Sequence, residues 1–440
     1  MFQTLKNAWK VAEIKNKLLF TLLIVVLYRL GANIPVPYVT PELFEGTATQ
    51  LFNQGILQYL NVMSGDALSK ATLFALGVSP YITSSIVIQL LTVAFPKLQE
   101  WSKDGENGRK KINFLTRIVT VALALVTSIG YYFFLKGNGW LVKELSFFEA
   151  AVIVACYCAG ASIVMWLGEK INDKGIGNGI SMILFANIIT SSFTTFASLQ
   201  NIIFPATGFN WVGLVVAIVV VAALLGFIVL IVAVTDAERR IPVQYAKRVV
   251  GRKMYGGQST NLPIKVNMSG VMPIIFANSI VAIPATIISF TGANNGFAKF
   301  IDKYFNYDNV AYLIVFFALL IAFAYFYVAI SFNPIEVANN IKSNGGSILG
   351  IRPGRPTVDF ITKILYRITL VGALFVAIIS VLPMLAVVVE SAIVGRENMM
   401  YFVNFAFGGS SLMIVVGVIL ETFRDLEAQL TLRNYKGFLD

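Results

Sequence analysis

The sequence predicts an all-α membrane protein of ten transmembrane helices. Three observations carry this prediction. Hydrophobic residues fill 57% of the 440 positions and charged residues only 13%, roughly half the charged share of a soluble domain. Apolar runs of about 20 residues, long enough to cross a bilayer as a helix, recur along the whole chain. Lys and Arg also collect on alternate connections, as membrane topology requires.

The elements follow in order. Residues 1–17 are polar and mixed in charge. The apolar run after them has no small-residue cleavage site before the next polar stretch, so it reads as a first span and not as a removed signal peptide. The spans fall near 18–36, 76–95, 113–135, 148–168, 179–199, 211–235, 269–291, 310–332, 365–389 and 404–421. The second, fourth and fifth are rich in Ser, Thr, Gly or Asn and are expected to face protein or water. Between the first two spans, residues 56–75 are semi-polar. Asp66 and Lys70, spaced i,i+4, predict a short helix there, and Gly77 and Pro80 mark a break before the second span. A short outer helix dipping back toward the membrane fits this pattern. Two long connections, 236–268 and 333–364, are basic and rich in Gly and Pro; loops of that length are usually functional or disordered.

With the N-terminus inside, 27 of the 34 Lys and Arg lie on inner connections and 5 on outer ones. That asymmetry predicts both ends in the cytoplasm of a multi-pass protein. Ten spans divide into five and five, 1–200 and 201–440, and an odd number per half makes the halves inverted.

No catalytic centre is legible. The chain has no His, which removes the usual general base and the commonest metal ligand. Cys156 and Cys158 point in different directions on a helix, so they read as small packing residues. GIGNG at 175–179 follows no strand and lacks phosphate-loop spacing, so it reads as a helix start. No metal or cofactor site is implied, and the net charge of +11 is explained by topology without DNA. The spans are nearly free of midplane charge, unlike those of ion-coupled transporters. Arg29, near the outer end of span one, reads as a side chain snorkelling to the interface. Ile82 and Ile86, and Leu184 and Ile188, form i,i+4 pairs that each line one helix face. Gln89 shares the face of Ile86, and Asn187 and Asn278 lie within spans five and seven, where polar groups face protein or a water-filled cavity. The basic runs AERRIPVQYAKRVVGRK (237–253) and GIRPGR (350–355) suit an acidic partner such as ribosomal RNA or a protein surface.

Long segments carry a resemblance. RLGANIPVPYV (29–39), FALGVSPYITSSIVIQLL (74–91), GEKINDKGIGNGISMILFANI (168–188), QSTNLPIKVNMSGVMPIIFANSI (258–280), NPIEVANNIKSNGG (333–346) and GGSSLMIVVGVILET (408–422) closely resemble the SecY family of bacterial protein-conducting channels, from span one to span ten. The resemblance implies two five-helix halves around a central hourglass pore. It implies an apolar ring at the waist, here Ile82, Ile86, Leu184, Ile188, Ile275 and Ile414, with Leu at 184 where the family often has Ile. It implies a short plug helix near 61–73, including Asn61, Ser64, Gly65, Asp66, Leu68 and Lys70. A lateral gate would release membrane segments into lipid, with Gln89 and Asn278 on its helices. Arg239, Arg240, Lys247, Arg248, Arg352 and Arg355 would receive the ribosome or the SecA motor ATPase. The further partners implied are SecE, SecG, signal peptides and nascent chains, with YidC and SecDF, in a bacterial plasma membrane.

Overall fold

Several helix starts carry a recognisable signal: Asn309 and Asn333 each accept from the amide two residues on, and Pro80, Pro96 and Pro334 sit in first turns. The computed structural model describes residues 2–40, 55–142, 146–203, 211–245, 248–250, 253–255, 259–291, 309–394 and 408–436. Each of the ten expected spans is built around one helix. A short N-terminal helix, α1 (Phe2–Lys10), precedes span one, α2 (Ala12–Gly31). The segment before span two holds α3 (Gly55–Ser64). Span two, α4 (Ser79–Ala94), starts with Pro80 in its first turn, where a missing N–H is harmless. It ends at Phe95, and Pro96 opens α5 (Pro96–Lys103) at 103° to it. Spans three to six are α6 (Gly105–Gly137), α7 (Phe147–Lys174), α8 (Gly179–Ile203) and α9 (Trp211–Asp236). Ser146 and Glu149 form a capping box at the start of α7, satisfying two otherwise orphaned amides.

Spans seven and eight are α10 (Met272–Thr291) and α11 (Val310–Ser331), followed by the short α12 (Pro334–Ser343). Spans nine and ten are α13 (Arg355–Val394) and α14 (Gly408–Lys436). Among the described residues, five helices are individually long and apolar enough to cross a bilayer, and the bent pair α4–α5 makes a sixth. Spans five and seven offer shorter apolar stretches, Gly179–Phe193 and Met272–Pro284. Both helices turn residues into the protein interior, so they need less apolar surface than α9, whose most apolar window is only 18% buried.

The packing is sequential on each side of the bundle. α7 lies against α2, α6 and α8, while α13 lies against α11 and α14. The two sides meet where α8 packs on α9 and α14 and where α10 packs on α3, α4 and α6. α1 packs on α14, and Thr4 donates a hydrogen bond to Glu427, so both chain ends share one end of the bundle.

Three expectations change. The plug helix was expected near 61–73, with Asp66 and Lys70 on one of its faces. The helix instead ends at Ser64, and Asp66 has φ +66°, which no right-handed helix accommodates. The long connections are also more than irregular loops. Strands β1 (Glu238–Tyr245), β4 (Ser259–Lys265) and β5 (Gly346–Ile348) form an antiparallel sheet in the order β4-β1-β5, and β2 (Arg248–Val250) pairs with β3 (Lys253–Tyr255). Period-2 burial on β1 sends Ile241 and Val243 inward against Ile264, Ile341, Ile348, Ile361 and Leu365. A helical span pattern takes no account of such short alternating stretches, so the all-α class gains a small sheet at the end that carries both termini. There Arg424 donates to Asp236 at 2.6 Å and to the Thr235 carbonyl at 2.8 Å. Burial, and next to it the Arg424 charge, lower the pKa of the Lys265 ammonium on β4 from its ordinary value. The third change concerns Arg29 and belongs to the site.

Candidate functional site

The six residues expected to form the ring come from four helices and fall in one buried cluster. α4 brings Ile82 and Ile86, α8 brings Leu184 and Ile188, α10 brings Ile275 and α14 brings Ile414. All six are buried in one apolar cluster, with exposures from 0% at Ile414 to 6% at Ile82. No single-helix pattern identifies Ile275 and Ile414, because each is one apolar residue among many on its helix. Met63 and Ala67 of the plug segment belong to the same cluster, as do Val78, Ile183, Ile274 and Met413, which the sequence reading did not single out.

The plug residues form one hydrogen-bonded turn. The Gly65 amide donates to the Val62 carbonyl at 3.1 Å and the Asp66 amide to the Asn61 carbonyl at 3.0 Å. These two bonds make a Schellman motif, with Gly65 (φ +66°) in the left-handed position that glycine favours. The Asn61 side chain donates to the Asp66 carboxylate and accepts from the Ser69 amide. Ser64 Oγ accepts from the Leu68 amide at 3.1 Å. Lys70 alone of the six is exposed. The segment then runs into span two under close constraint. Tyr131 Oη donates to the Leu68 carbonyl at 2.6 Å, and Tyr157 Oη to that of Ala71 at 3.2 Å. Removing the Tyr131 hydroxyl leaves the Leu68 carbonyl with only the Ala71 amide at 3.2 Å, so Tyr131→Phe is expected to destabilise the protein by about 0.5–1.5 kcal/mol. A fall in unfolding midpoint relative to wild type in the same lipid or detergent measures it, and no fall would discount the bond.

Arg29 does not snorkel outward. Its guanidinium turns inward and donates to the Gly65 carbonyl at 3.3 Å and to Asn187 Oδ1 at 3.4 Å. Asn187 Nδ2 donates to Tyr28 Oη at 2.8 Å and to the Met63 carbonyl at 2.7 Å. The helix C-terminus carries unpaired carbonyls and a partial negative charge, and that end of α3 outcompetes the interface for the cation. The only sign of this in the sequence is a polar Asn within an apolar span.

Gln89 is half-buried and donates to Ser85 Oγ at 3.4 Å. Asn278 is 1% exposed, and neither end of its amide has a partner among the described residues. The structure does not join these two side chains. A cavity of about 320 Å³ lies between the plug, α4, α6, α8 and α10, lined by residues such as Met63, Ile82, Leu123, Leu184 and Ala282.

The cationic residues stand at the other end. Arg239 and Arg240 are exposed on β1, and Arg240 pairs with Glu238 at 2.6 Å. Arg352 is exposed on the turn between β5 and α13, and Arg355 is exposed at the first residue of α13. The β1–β5 pairing places these two groups on one platform. Arg248 lies on β2, and Lys247 lies outside the described residues. GIGNG does start a helix: Asn178 Oδ1 accepts from the Ile180 amide at 3.1 Å, and Gly177 has φ +75°. Cys156 and Cys158 are free and half-buried.

Residues 72–423 match the SecY family. The chain belongs to that family. It is 42% identical, over the full length of both chains, to a protein translocase subunit SecY of Streptomyces galbus. Among solved structures it resembles one on the plug domain of the SecY protein, with a TM-score of 0.61 at 17% identity over 94% of this chain and 92% of that one. It also resembles Sec61 in the canine ribosome-channel complex from the endoplasmic reticulum, with a TM-score of 0.59 at 16% identity over 94% and 92%. At such identities the structures establish the fold. Family membership makes this a multi-pass membrane protein of a channel family.

Proposed function

We propose that this chain is the central channel subunit of a Sec translocase, conducting unfolded polypeptides through the ring and releasing membrane segments sideways into lipid. The observation that carries the reading is the burial of six branched apolar side chains, from four helices, in one cluster with Met63 and Ala67 of the plug segment. A passage for any sequence must hold no side chain strongly, and a branched apolar gasket that dewets when empty meets that demand. The halves 1–200 and 201–440 would part at the α10 contacts with α4 and α6 and pivot at α8–α9. Asn278 supports a gate on that side, because an unpaired buried amide weakens the closed packing. Gln89 would line the same opening.

The basic platform of Arg239, Arg240, Lys247, Arg248, Arg352 and Arg355 would receive SecA or the ribosome, whose acidic surfaces match its charge. The Sec61 relative in a ribosome complex supports the second of these. The chain then supplies the path and its partner the work. SecE and SecG would brace the bundle, signal peptides and nascent chains would be its cargo, and YidC and SecDF would join it in a bacterial plasma membrane. Lys and Arg asymmetry supports a cytoplasmic location for both termini. The test is reconstitution in liposomes with SecE and SecA: a secretory precursor becomes protected from protease when ATP is added. Uptake of a small solute with no such protection would overturn the proposal.

A further inference from the structure

The plug segment is held in two unequal ways. From Leu68 onward it is fastened along its length. Tyr131 and Tyr157 hold the Leu68 and Ala71 carbonyls, and Thr72 forms an antiparallel bridge with Pro35. The Leu73 amide donates to the Ile34 carbonyl at 2.8 Å, and Phe74 stacks on Tyr28. The Leu73 carbonyl fills the space where a Cβ at Gly160 would stand, so backbone meets backbone there. The C-terminal end of α3 is held differently, by the side chains of Arg29 and Asn187 on its last carbonyls.

We infer that Arg29 and Asn187 form a latch on the C-terminal end of α3, and that this latch sets how readily the plug helix leaves the waist while the stalk from Leu68 stays in place. The inference rests on the reading of α3 as a pore plug. Three features support it. The contact is directional, a cation and an amide donor facing the negative end of a helix. It is also local. The bonds bridge α2, α8 and α3, and each is lost if α3 shifts by a few ångströms, whereas the stalk bonds survive. Gly65, finally, has no spare room. It has φ +66°, and a Cβ there would collide with Arg29 and Asn187, so any side chain at 65 pushes the latch open. An ionisable group within a span is expensive, and the latch gives Arg29 a reason to be there.

The full chain with its partner subunits, in proteoliposomes, tests this by amide hydrogen exchange. Asn187→Leu keeps the size and removes the donors, and Arg29→Gln removes the charge. In each, α3 amides are expected to exchange about tenfold faster or more, reporting local opening, while those of 68–75 are unaltered. Arg29→Lys keeps the charge and should retain much of the protection. Resting ion conductance should rise in step with α3 exchange. Unchanged α3 exchange in both Arg29→Gln and Asn187→Leu overturns the latch, as does equal loosening of α3 and the stalk. Should Asn187→Leu fail to fold, Gly65→Ala attacks the same contact from the plug side, with the same expected result. If α3 loosens but conductance stays at the resting level, the plug reading fails and the latch stands as a contact only.

Discussion

Replacing Ile86 by Asn is expected to raise the resting ion conductance of the channel. Ile86 is 2% exposed in the ring cluster, on the same face of α4 as Ile82. An amide introduced there finds no fixed partner among Leu184, Ile188, Ile275 and Ile414. Burying it unpaired costs about 1–3 kcal/mol, and water entering the waist relieves that cost. A shift of about 1.4 kcal/mol between dry and wet states is about tenfold in the wet population, so a conductance increase of that order is expected in planar bilayers. Ile275→Asn, on α10, should act in the same direction. Both lie in one buried cluster and would wet the same waist, so the double variant should show less than the combined effect. An unchanged conductance in both would remove these residues from the seal. Ile86→Val keeps the apolar surface and should leave the seal intact, which separates polarity from packing.

Replacing Arg352 by Glu is expected to abolish most motor-driven transport while the protein still inserts and accumulates. The structure explains why the two effects separate. The backbone turn at 350–354 is held without the Arg352 side chain: Thr357 Oγ1 donates to the Arg352 carbonyl at 2.9 Å, and Gly350 and Gly354 take up the positive φ angles of +78° and +110°. The guanidinium itself is exposed, with no ion pair among the described residues. Reversing its sign replaces attraction by repulsion at the proposed docking surface, and losing one partner of a charge pair that docking buries costs about 2–5 kcal/mol. At about 1.4 kcal/mol per tenfold, that is a loss of one order of magnitude or more in affinity. Motor binding to proteoliposomes and protease protection of a precursor measure the two stages. Arg352→Lys should retain part of the activity, because charge survives while the planar fork is lost. Loss of the protein from the membrane would make the residue structural instead.

The ten helices were legible in the sequence because a bilayer imposes a simple requirement. Each span needs about 20 apolar residues and internal backbone pairing, whatever surrounds it. The pairs Ile82/Ile86 and Leu184/Ile188 were legible for the same reason, since spacing alone puts each on one helix face. The family resemblance supplied Ile275 and Ile414, which no pattern distinguishes from lipid-facing neighbours. The plug segment was visible as an irregularity. Its helix boundary was not, because the spacing of Asp66 and Lys70 favours a helix weakly, whereas a Schellman turn at Gly65 ends it.

The sequence by itself thus determined the class, the spans and their alternating charge, all of which follow from local composition acting against a uniform solvent. Tertiary structure alone decided where the side chains go. It turned Arg29 inward to α3, set Asn187 between Tyr28 and Met63, and joined two connections about a hundred residues apart through the β1–β5 pairing. Hydrogen bonds of this kind, between residues as far apart as Arg29 and Asn187, depend on which helices become neighbours, and that is a property of the packed bundle and not of any one segment.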